Sequence, residues 1–161
     1  MRGSSAFAGA LIGAVFAVSA VLPASATIRI TGDPGGQIGS YGGQIGPYFE
    51  NLASIANSGE HVVIDGPCLS ACTMVLGVIP RDHLCVTPRA RLGFHTAWRP
   101  DESGHQVVSR EGTELLMEVY PRPVRNWIAR RGGLSPRMMF LSGHELASMY
   151  PPCRGESEAR N

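Results

Sequence analysis

The sequence contains no lysine, and all 14 of its basic residues are arginine. No mechanism that needs a lysine side chain can therefore operate in this protein. Charge of either sign is scarce, because charged residues make up 17% of the 161 positions and the formal net charge is +1. Together with an apolar fraction of 43%, this composition excludes a disordered polyelectrolyte and a strongly basic nucleic-acid binder. We therefore expect no nucleic-acid partner.

Cofactor signatures are absent as well. The chain has no Cys-x-x-Cys pair and no cluster of histidines, so we predict no metal site. Residues 31–46, which we name the glycine loop, hold seven glycines but lack the Gly-Lys-Ser/Thr ending of a phosphate-binding loop. We therefore predict no nucleotide cofactor. Within this loop the letters Gly-Gln-Ile-Gly occur twice, at residues 36–39 and 43–46, as a small duplication rather than a solenoid repeat.

The first 26 residues have the pattern of a secretory signal peptide. Arg2 supplies a positive start, residues 6–22 form an uncharged apolar run, and small residues follow Pro23 up to Ala26. The run of 17 residues is short for a bilayer span, which needs about 20. We predict a signal peptide over residues 1–26, with an uncleaved anchor as the alternative. The rest of the chain is then periplasmic or secreted.

Four cysteines follow this segment, and export would place them in an oxidising compartment where disulfides persist. Four cysteines allow three complete pairings, and the sequence does not choose among them. Two of them flank Ser70, where a structural disulfide and a redox-sensitive one are the alternatives. The four are Cys68, Cys72, Cys85 and Cys153.

Alternating strand and helix patterns predict one α/β domain with a largely parallel sheet over residues 27–153, followed by a polar tail at residues 154–161. Residues 99–105 are polar and rich in turn formers, which predicts a solvated loop. Strands are predicted at residues 61–64, 84–86 and 91–95, and helices at residues 48–55, 70–77, 107–120, 124–131 and 141–150.

A serine and a histidine stand where catalytic residues could lie. Ser70 occurs where a buried strand turns sharply into a helix, so the backbone N–H of Ala71 would face the space in front of its hydroxyl. His95 follows a later strand and could accept the hydroxyl proton. The same spacing also suits a helix N-cap serine and a partly buried strand histidine.

Four segments of the chain form a recognisable set: Asp-Pro-Gly-Gly at residues 33–36, Gly-Pro-Cys-Leu-Ser-Ala-Cys at 66–72, Arg-Leu-Gly-Phe-His at 91–95 and Phe-Leu-Ser-Gly-His-Glu-Leu-Ala at 140–147. They resemble successive motifs of the Clp protease proteolytic subunit, ClpP, and its crotonase-fold relatives. The resemblance is greatest to exported, ClpP-like bacterial proteins of unassigned role. It implies a layered ββα spiral fold over residues 28–150 that lacks the opening strand–helix unit of the family, a gap that a homo-oligomer would cover.

The resemblance implies that Ser70 is the nucleophile, that His95 is the general base, and that the N–H groups of Gly36 and Ala71 form the oxyanion hole. The chain departs from the family at the triad aspartate, where it has Met138 between Arg137 and Met139. A distant substitute such as Asp101 or Glu145 would then be required, although no spacing supports either. The serine–lysine variant of this fold is excluded because there is no lysine.

Two functions of different classes follow. The first is an exported serine hydrolase of peptidase type, acting on a peptide or small acyl substrate. The second is a catalytically inactive ClpP-like module for binding or assembly, which the missing acid favours. No ATPase partner is expected, because an exported protein has no ATP to support one. Acyl-thioester chemistry has little support, because it normally uses carboxylates around the thioester and a cytoplasmic cofactor pool.

Overall fold

The computed structural model describes residues 26–153. The predicted tail and all but the last residue of the predicted signal peptide lie outside the described residues. Between residues 26 and 153, no helix is both long enough and apolar enough to cross a bilayer. This part of the chain is a mixture of short strands and helices.

The elements follow one another with few long connections. The strands are β1 Thr27–Ile30, β2 His61–Ile64, β3 Pro67–Leu69, β4 Leu84–Val86, β5 Arg91–Phe94, β6 Trp98–Pro100, β7 Gln106–Val108 and β8 Met139–Ser142. The α-helices are α1 Ile45–Ser58, α2 Val75–Val78, α3 Arg110–Val119, α4 Arg122–Ala129 and α5 Gly143–Ala147. Two 3₁₀-helices cover Ser70–Met74 and Arg81–His83.

The first sheet is fully parallel, in the order β1-β2-β4. Its central strand β2 is buried at Val62, Val63 and Ile64, as expected for a β-branched strand covered on both faces. Helix α1 packs its buried residues, Leu52 and Ile55, into the same core. The strands predicted at residues 61–64 and 84–86 are therefore confirmed.

The second sheet has the order β3-β5-β8, with β3 parallel and β8 antiparallel to β5. The expectation of one largely parallel sheet is therefore wrong in detail. The chain leaves the first sheet at Gly66, where an added Cβ would lie 2.5 Å from the carbonyl oxygen of Thr31. Pro67 then begins β3, and proline suits the first residue of a strand because it has no N–H for the ladder.

The segment expected to be a solvated loop is instead the hairpin β6–β7, with Trp98 opposite Val108. Its turn is closed by Asp101, whose carboxylate accepts the N–H groups of Ser103 at 2.9 Å and His105 at 2.8 Å. The helix predicted from residue 107 consequently begins later. Ser109 caps it by accepting the N–H of Gly112 at 3.1 Å.

Two other predicted helices differ from the structure. Residues 139–142 form β8, so only the short helix α5 remains of the one predicted over residues 141–150. The helix predicted over residues 70–77 is divided into a 3₁₀-helix and α2. The core beside this region holds Phe94 against Tyr120 and Trp127, with ring centroids 5.3 and 5.5 Å apart.

The structure pairs Cys68 with Cys72 and Cys85 with Cys153, one of the three combinations that the sequence allowed. The second disulfide joins β4 to the last described residue, and Val86 and Pro152 form a parallel bridge beside it. That disulfide therefore holds the end of the domain against the first sheet.

Candidate active site

Ser70 lies at a strained turn between β3 and the 3₁₀-helix. Its φ is 57°, and among the described residues it is the one non-glycine residue with a left-handed backbone. This conformation costs about 1–2 kcal/mol for a residue with a Cβ. Strain of this kind is concentrated at functional sites, and a serine at a tight strand-to-helix turn is typical of a nucleophile elbow. We name residues 68–72 the elbow.

A disulfide and two buried hydroxyl groups stabilise the elbow on its buried side. Cys68 and Cys72, which are fully buried, form a disulfide that spans the turn. The Thr73 hydroxyl donates a hydrogen bond of 2.6 Å to the Ser70 carbonyl and lies 2.6 Å from the Tyr120 hydroxyl. Burial raises the pKa of Tyr120 to about 12, although the hydrogen bond with Thr73 lowers it in part. The phenol therefore stays protonated and can donate a hydrogen bond to the Thr73 hydroxyl. These contacts support the unfavourable φ of Ser70.

The glycine loop covers the elbow through its second repeat. The N–H of Leu69 donates to the carbonyl of Ser40 at 2.7 Å, which joins the loop to the end of β3. Gly42 has a φ of 82°, and a Cβ there would lie 2.6 Å from the Ser70 Cβ and 3.0 Å from the Ala71 nitrogen. No residue with a side chain fits this position without displacing the elbow.

The structure does not bring Gly36 to Ser70. A Cβ on Gly36 would meet only carbonyl oxygens of its own loop, at 3.5 Å for Ile38 and 3.8 Å for Asp33. Gly43, which occupies the same place in the second repeat, lines a cleft together with Ser70. Gly43 and Ala71 therefore line the cleft that contains Ser70, and Gly36 does not. Two identical tetrapeptides carry no local signal that tells which of them contacts the elbow.

A cleft of about 520 Å³ contains the predicted catalytic residues. His95 directly follows β5 and shares this cleft with Ser70. No hydrogen bond joins the two side chains, and the Ser70 hydroxyl has no hydrogen-bond partner within residues 26–153. We name it the Ser70 cleft; its lining is Gly43, Gln44, Ile45, Ser70, Ala71, His95, Ala97, Trp98, Arg99, Pro100, Gln106, Ser109 and Gly112.

The imidazole of His95 has two polar contacts, and both involve Nδ1. The carbonyl oxygen of Thr96 lies 2.5 Å from Nδ1, and the indole Nε1 of Trp98 lies 3.1 Å from it. A carbonyl accepts only, so the contact with Thr96 requires the proton on Nδ1. In that tautomer Nε2 carries the lone pair that a general base needs.

No carboxylate among residues 26–153 hydrogen-bonds to His95. Met138 packs on Gly93, since its Sδ lies 2.6 Å from the point that a Cβ there would occupy. Asp101 is used by the hairpin turn, and Glu145 accepts hydrogen bonds of 2.7 and 2.8 Å from Arg131. Neither distant substitute for the triad acid is therefore in contact with the histidine.

The most strongly bonded acid of the described chain is Asp65, which the sequence reasoning missed. It follows β2 and is buried, yet it pairs with Arg89 and with Arg29 at 2.8 Å and accepts from Thr87 at 2.7 Å. Burial alone would raise its pKa, but the hydrogen bonds from Arg89, Thr87 and Arg29 together outweigh burial and lower the pKa to about 2. Asp65 links β1, through Arg29, to Thr87 and Arg89, which follow β4, and it does not line the Ser70 cleft.

Among residues 26–153, no group of three or more histidine, cysteine, aspartate or glutamate side chains could hold a metal ion. The Ser70 cleft itself offers a hydroxyl, an imidazole and backbone amides close to a helix start. This combination suits nucleophilic attack on an acyl carbon.

Comparison with known proteins gives little. No family model matches the sequence, and no curated protein matches it. A solved structure of a ClpP1 mutant from Listeria monocytogenes is similar at 15% identity, over 77% of this chain and 86% of that chain, with a TM-score of 0.35. A likeness of this size establishes neither family nor function.

Proposed function

We propose that the protein is an exported serine hydrolase of the ClpP/crotonase type, with peptides or small acyl compounds as substrates. The observation that carries this proposal is the left-handed Ser70 at the elbow, in one cleft with His95. The Ser70 hydroxyl makes no hydrogen bond among the described residues that would offset the strain of its backbone, whereas exposure of the hydroxyl to a substrate gives a functional reason for the strain.

In the proposed reaction the Ser70 Oγ attacks the acyl carbon while Nε2 of His95 accepts the hydroxyl proton. The negative charge that develops on the acyl oxygen is stabilised by the N–H groups of Ala71 and Gly43. Ala71 is the second residue of a 3₁₀-helix, where amides have no intrahelical acceptor. His95 then returns the proton to the leaving group, and water releases the acyl group from Ser70 by the same steps.

A triad acid fixes the tautomer of the histidine and stabilises the imidazolium that forms during the reaction. The Thr96 carbonyl performs the first of these two tasks. By accepting the proton of Nδ1 it selects the tautomer in which Nε2 is basic. A neutral carbonyl stabilises the imidazolium less than a carboxylate does, and exchanging the acid of a triad can cost about 10⁴ in turnover. We therefore propose a slow hydrolase whose first step is best seen with activated reagents.

Export is the second part of this proposal. Two disulfides are present in the described chain, and disulfides persist mainly outside the cytoplasm. Mass spectrometry of the exported protein should find Thr27 at the N-terminus. A retained Met1 would overturn the predicted cleavage.

The test of activity is the labelling rate of the purified protein with a fluorophosphonate. Wild type should react at Ser70, which digestion and mass spectrometry would locate, while Ser70→Ala should not react. His95→Ala should slow labelling by a factor of about 10²–10⁴, the usual contribution of a general base. Ser103→Ala and His105→Ala, which alter an exposed serine and histidine of the hairpin turn, are the matched controls and should label as wild type does.

The alternative is a binding or assembly module without catalysis. Its support is the position of Met138 on Gly93 and the missing hydrogen bond between Ser70 and His95. If wild type labels no faster than Ser70→Ala, the serine is not activated and this alternative replaces the hydrolase.

A further inference from the structure

We propose that Trp98 is a positioning residue that restrains His95, because its indole N–H competes with the Thr96 carbonyl for Nδ1 of the imidazole. This inference rests on the proposed function, in which His95 acts through Nε2. In addition to the missing carboxylate, it assigns part of the low reactivity of Ser70 to the fraction of His95 that is held in the inactive tautomer.

The two contacts of Nδ1 cannot both be hydrogen bonds in one neutral tautomer. The Thr96 carbonyl, at 2.5 Å, can only accept and needs a proton on Nδ1. The Trp98 indole, whose Nε1 is 3.1 Å away, can only donate and needs a lone pair on the same nitrogen. A neutral imidazole has one ring proton, so satisfying one contact leaves the other without its hydrogen bond.

The two tautomers differ in their ability to activate Ser70. When Nδ1 donates to Thr96, the lone pair is on Nε2 and the ring can accept the serine proton. When Trp98 donates to Nδ1, the proton is on Nε2 and the ring has no free lone pair for the serine. Trp98 therefore stabilises the form of His95 that cannot act as the base.

Trp98 can be altered without disturbing the core. It lies on β6 of the hairpin with 41% of its surface exposed, and its ring centroid is 6.4 Å from that of His95 at an angle of 39°, too tilted for stacking. The indole N–H is consequently its specific contact with the imidazole. Phenylalanine keeps an aromatic ring at this position and removes the N–H donor together with the five-membered ring that carries it.

The experiment compares wild type with Trp98→Phe by two measurements. Long-range ¹⁵N–¹H NMR of the histidine rings, assigned with His95→Gln, reports which nitrogen of His95 carries the proton. The fluorophosphonate labelling rate reports activation of Ser70. Trp98→Phe should move the proton toward Nδ1 and raise the labelling rate by up to about fivefold, the change in equilibrium expected when one hydrogen bond is removed.

Val108→Thr is the matched control, because Val108 lies opposite Trp98 in the hairpin and does not line the Ser70 cleft. It should leave the His95 tautomer and the labelling rate as in wild type. An unchanged tautomer or slower labelling in Trp98→Phe would overturn the inference and leave the hydrolase intact. A tautomer shift without labelling of Ser70 in either protein would support the role of Trp98 and refute the hydrolase.

Discussion

The two copies of Gly-Gly-Gln-Ile-Gly provide a matched pair of substitutions, Gly35→Ala and Gly42→Ala. Each glycine is the first residue of its copy, so the two positions cannot be told apart by their local sequence. In the structure a Cβ on Gly35 would have no atom within 4 Å. A Cβ on Gly42 would lie 2.6 Å from the Ser70 Cβ and 2.9 Å from the Leu69 carbonyl oxygen, at a φ of 82°. The same chemical change should therefore have very different effects.

The loss of unfolding free energy expected for Gly42→Ala has two contributions. A left-handed backbone costs an alanine about 1–2 kcal/mol, and a methyl group forced into an occupied space costs about 1–3 kcal/mol. The atoms in the way belong to the backbone and to a Cβ, so no side-chain rotation relieves the overlap. We expect Gly42→Ala to lower the free energy of unfolding by about 2–5 kcal/mol. Gly35→Ala should change it by less than about 1 kcal/mol, with a gain possible through the unfolded chain.

Urea denaturation followed by circular dichroism measures the two changes in stability, and fluorophosphonate labelling measures the state of the elbow. Gly42→Ala should also lose labelling under conditions where most of the protein remains folded, because the methyl group displaces Ser70. Gly35→Ala should label as wild type does. If Gly35→Ala costs as much stability as Gly42→Ala, the second repeat does not cover the elbow and the placement of Gly43 in the oxyanion hole fails with it.

Three further sets of substitutions test the strain at Ser70, the ion pairs of Asp65 and the two disulfides. Ser70→Gly and Ser70→Ala should both abolish labelling, but the glycine variant should be more stable to urea by about 1 kcal/mol because it accepts the φ of 57°; equal stabilities would contradict the strain. Asp65 has a pKa near 2 when folded against an ordinary 3.8, so its contribution of about 2 kcal/mol is present above about pH 4 and lost as the pH falls toward 2. Asp65→Asn should flatten the dependence of unfolding free energy on pH in that window, and an unchanged profile would show that another acid is responsible. Replacing Cys85 and Cys153 by alanine should cost about 4 kcal/mol, against about 2 kcal/mol for the Cys68–Cys72 pair, because the Cys85–Cys153 disulfide closes the longer loop; the reverse order would contradict this account.

Strands with a continuous β-branched pattern could be predicted closely. His61–Ile64 and Leu84–Val86 have the same limits in the pattern and in the structure, because a short apolar run marks each strand and most of its residues are buried. The hairpin β6–β7 escaped prediction because its strands are short and mostly exposed, so hydrophobic alternation hardly marks them. Ser109 was the signal that could have moved the helix start, since it is a favourable N-cap.

The candidate site was predictable only in part. The turn at Ser70 is a local feature, because a buried strand ends there and an apolar helical segment begins. His95 could be placed at a strand end for the same reason. Their common cleft depends on the pairing of β3 with β5, in which Leu69 lies beside Gly93, and no periodicity within either segment reveals that register.

The sequence by itself determined what the residues can do: it has no lysine, a serine at a strand-to-helix turn, a histidine after a strand, and four cysteines for disulfides. The tertiary structure decided which of these groups meet. It placed Gly43 rather than Gly36 in the lining of the Ser70 cleft, paired Cys68 with Cys72, and set His95 beside the Thr96 carbonyl and the Trp98 indole. The physical reason is that secondary-structure propensity and backbone strain depend on a few neighbouring residues in the sequence. Contacts between a loop, an elbow and a hairpin depend on how distant segments pack.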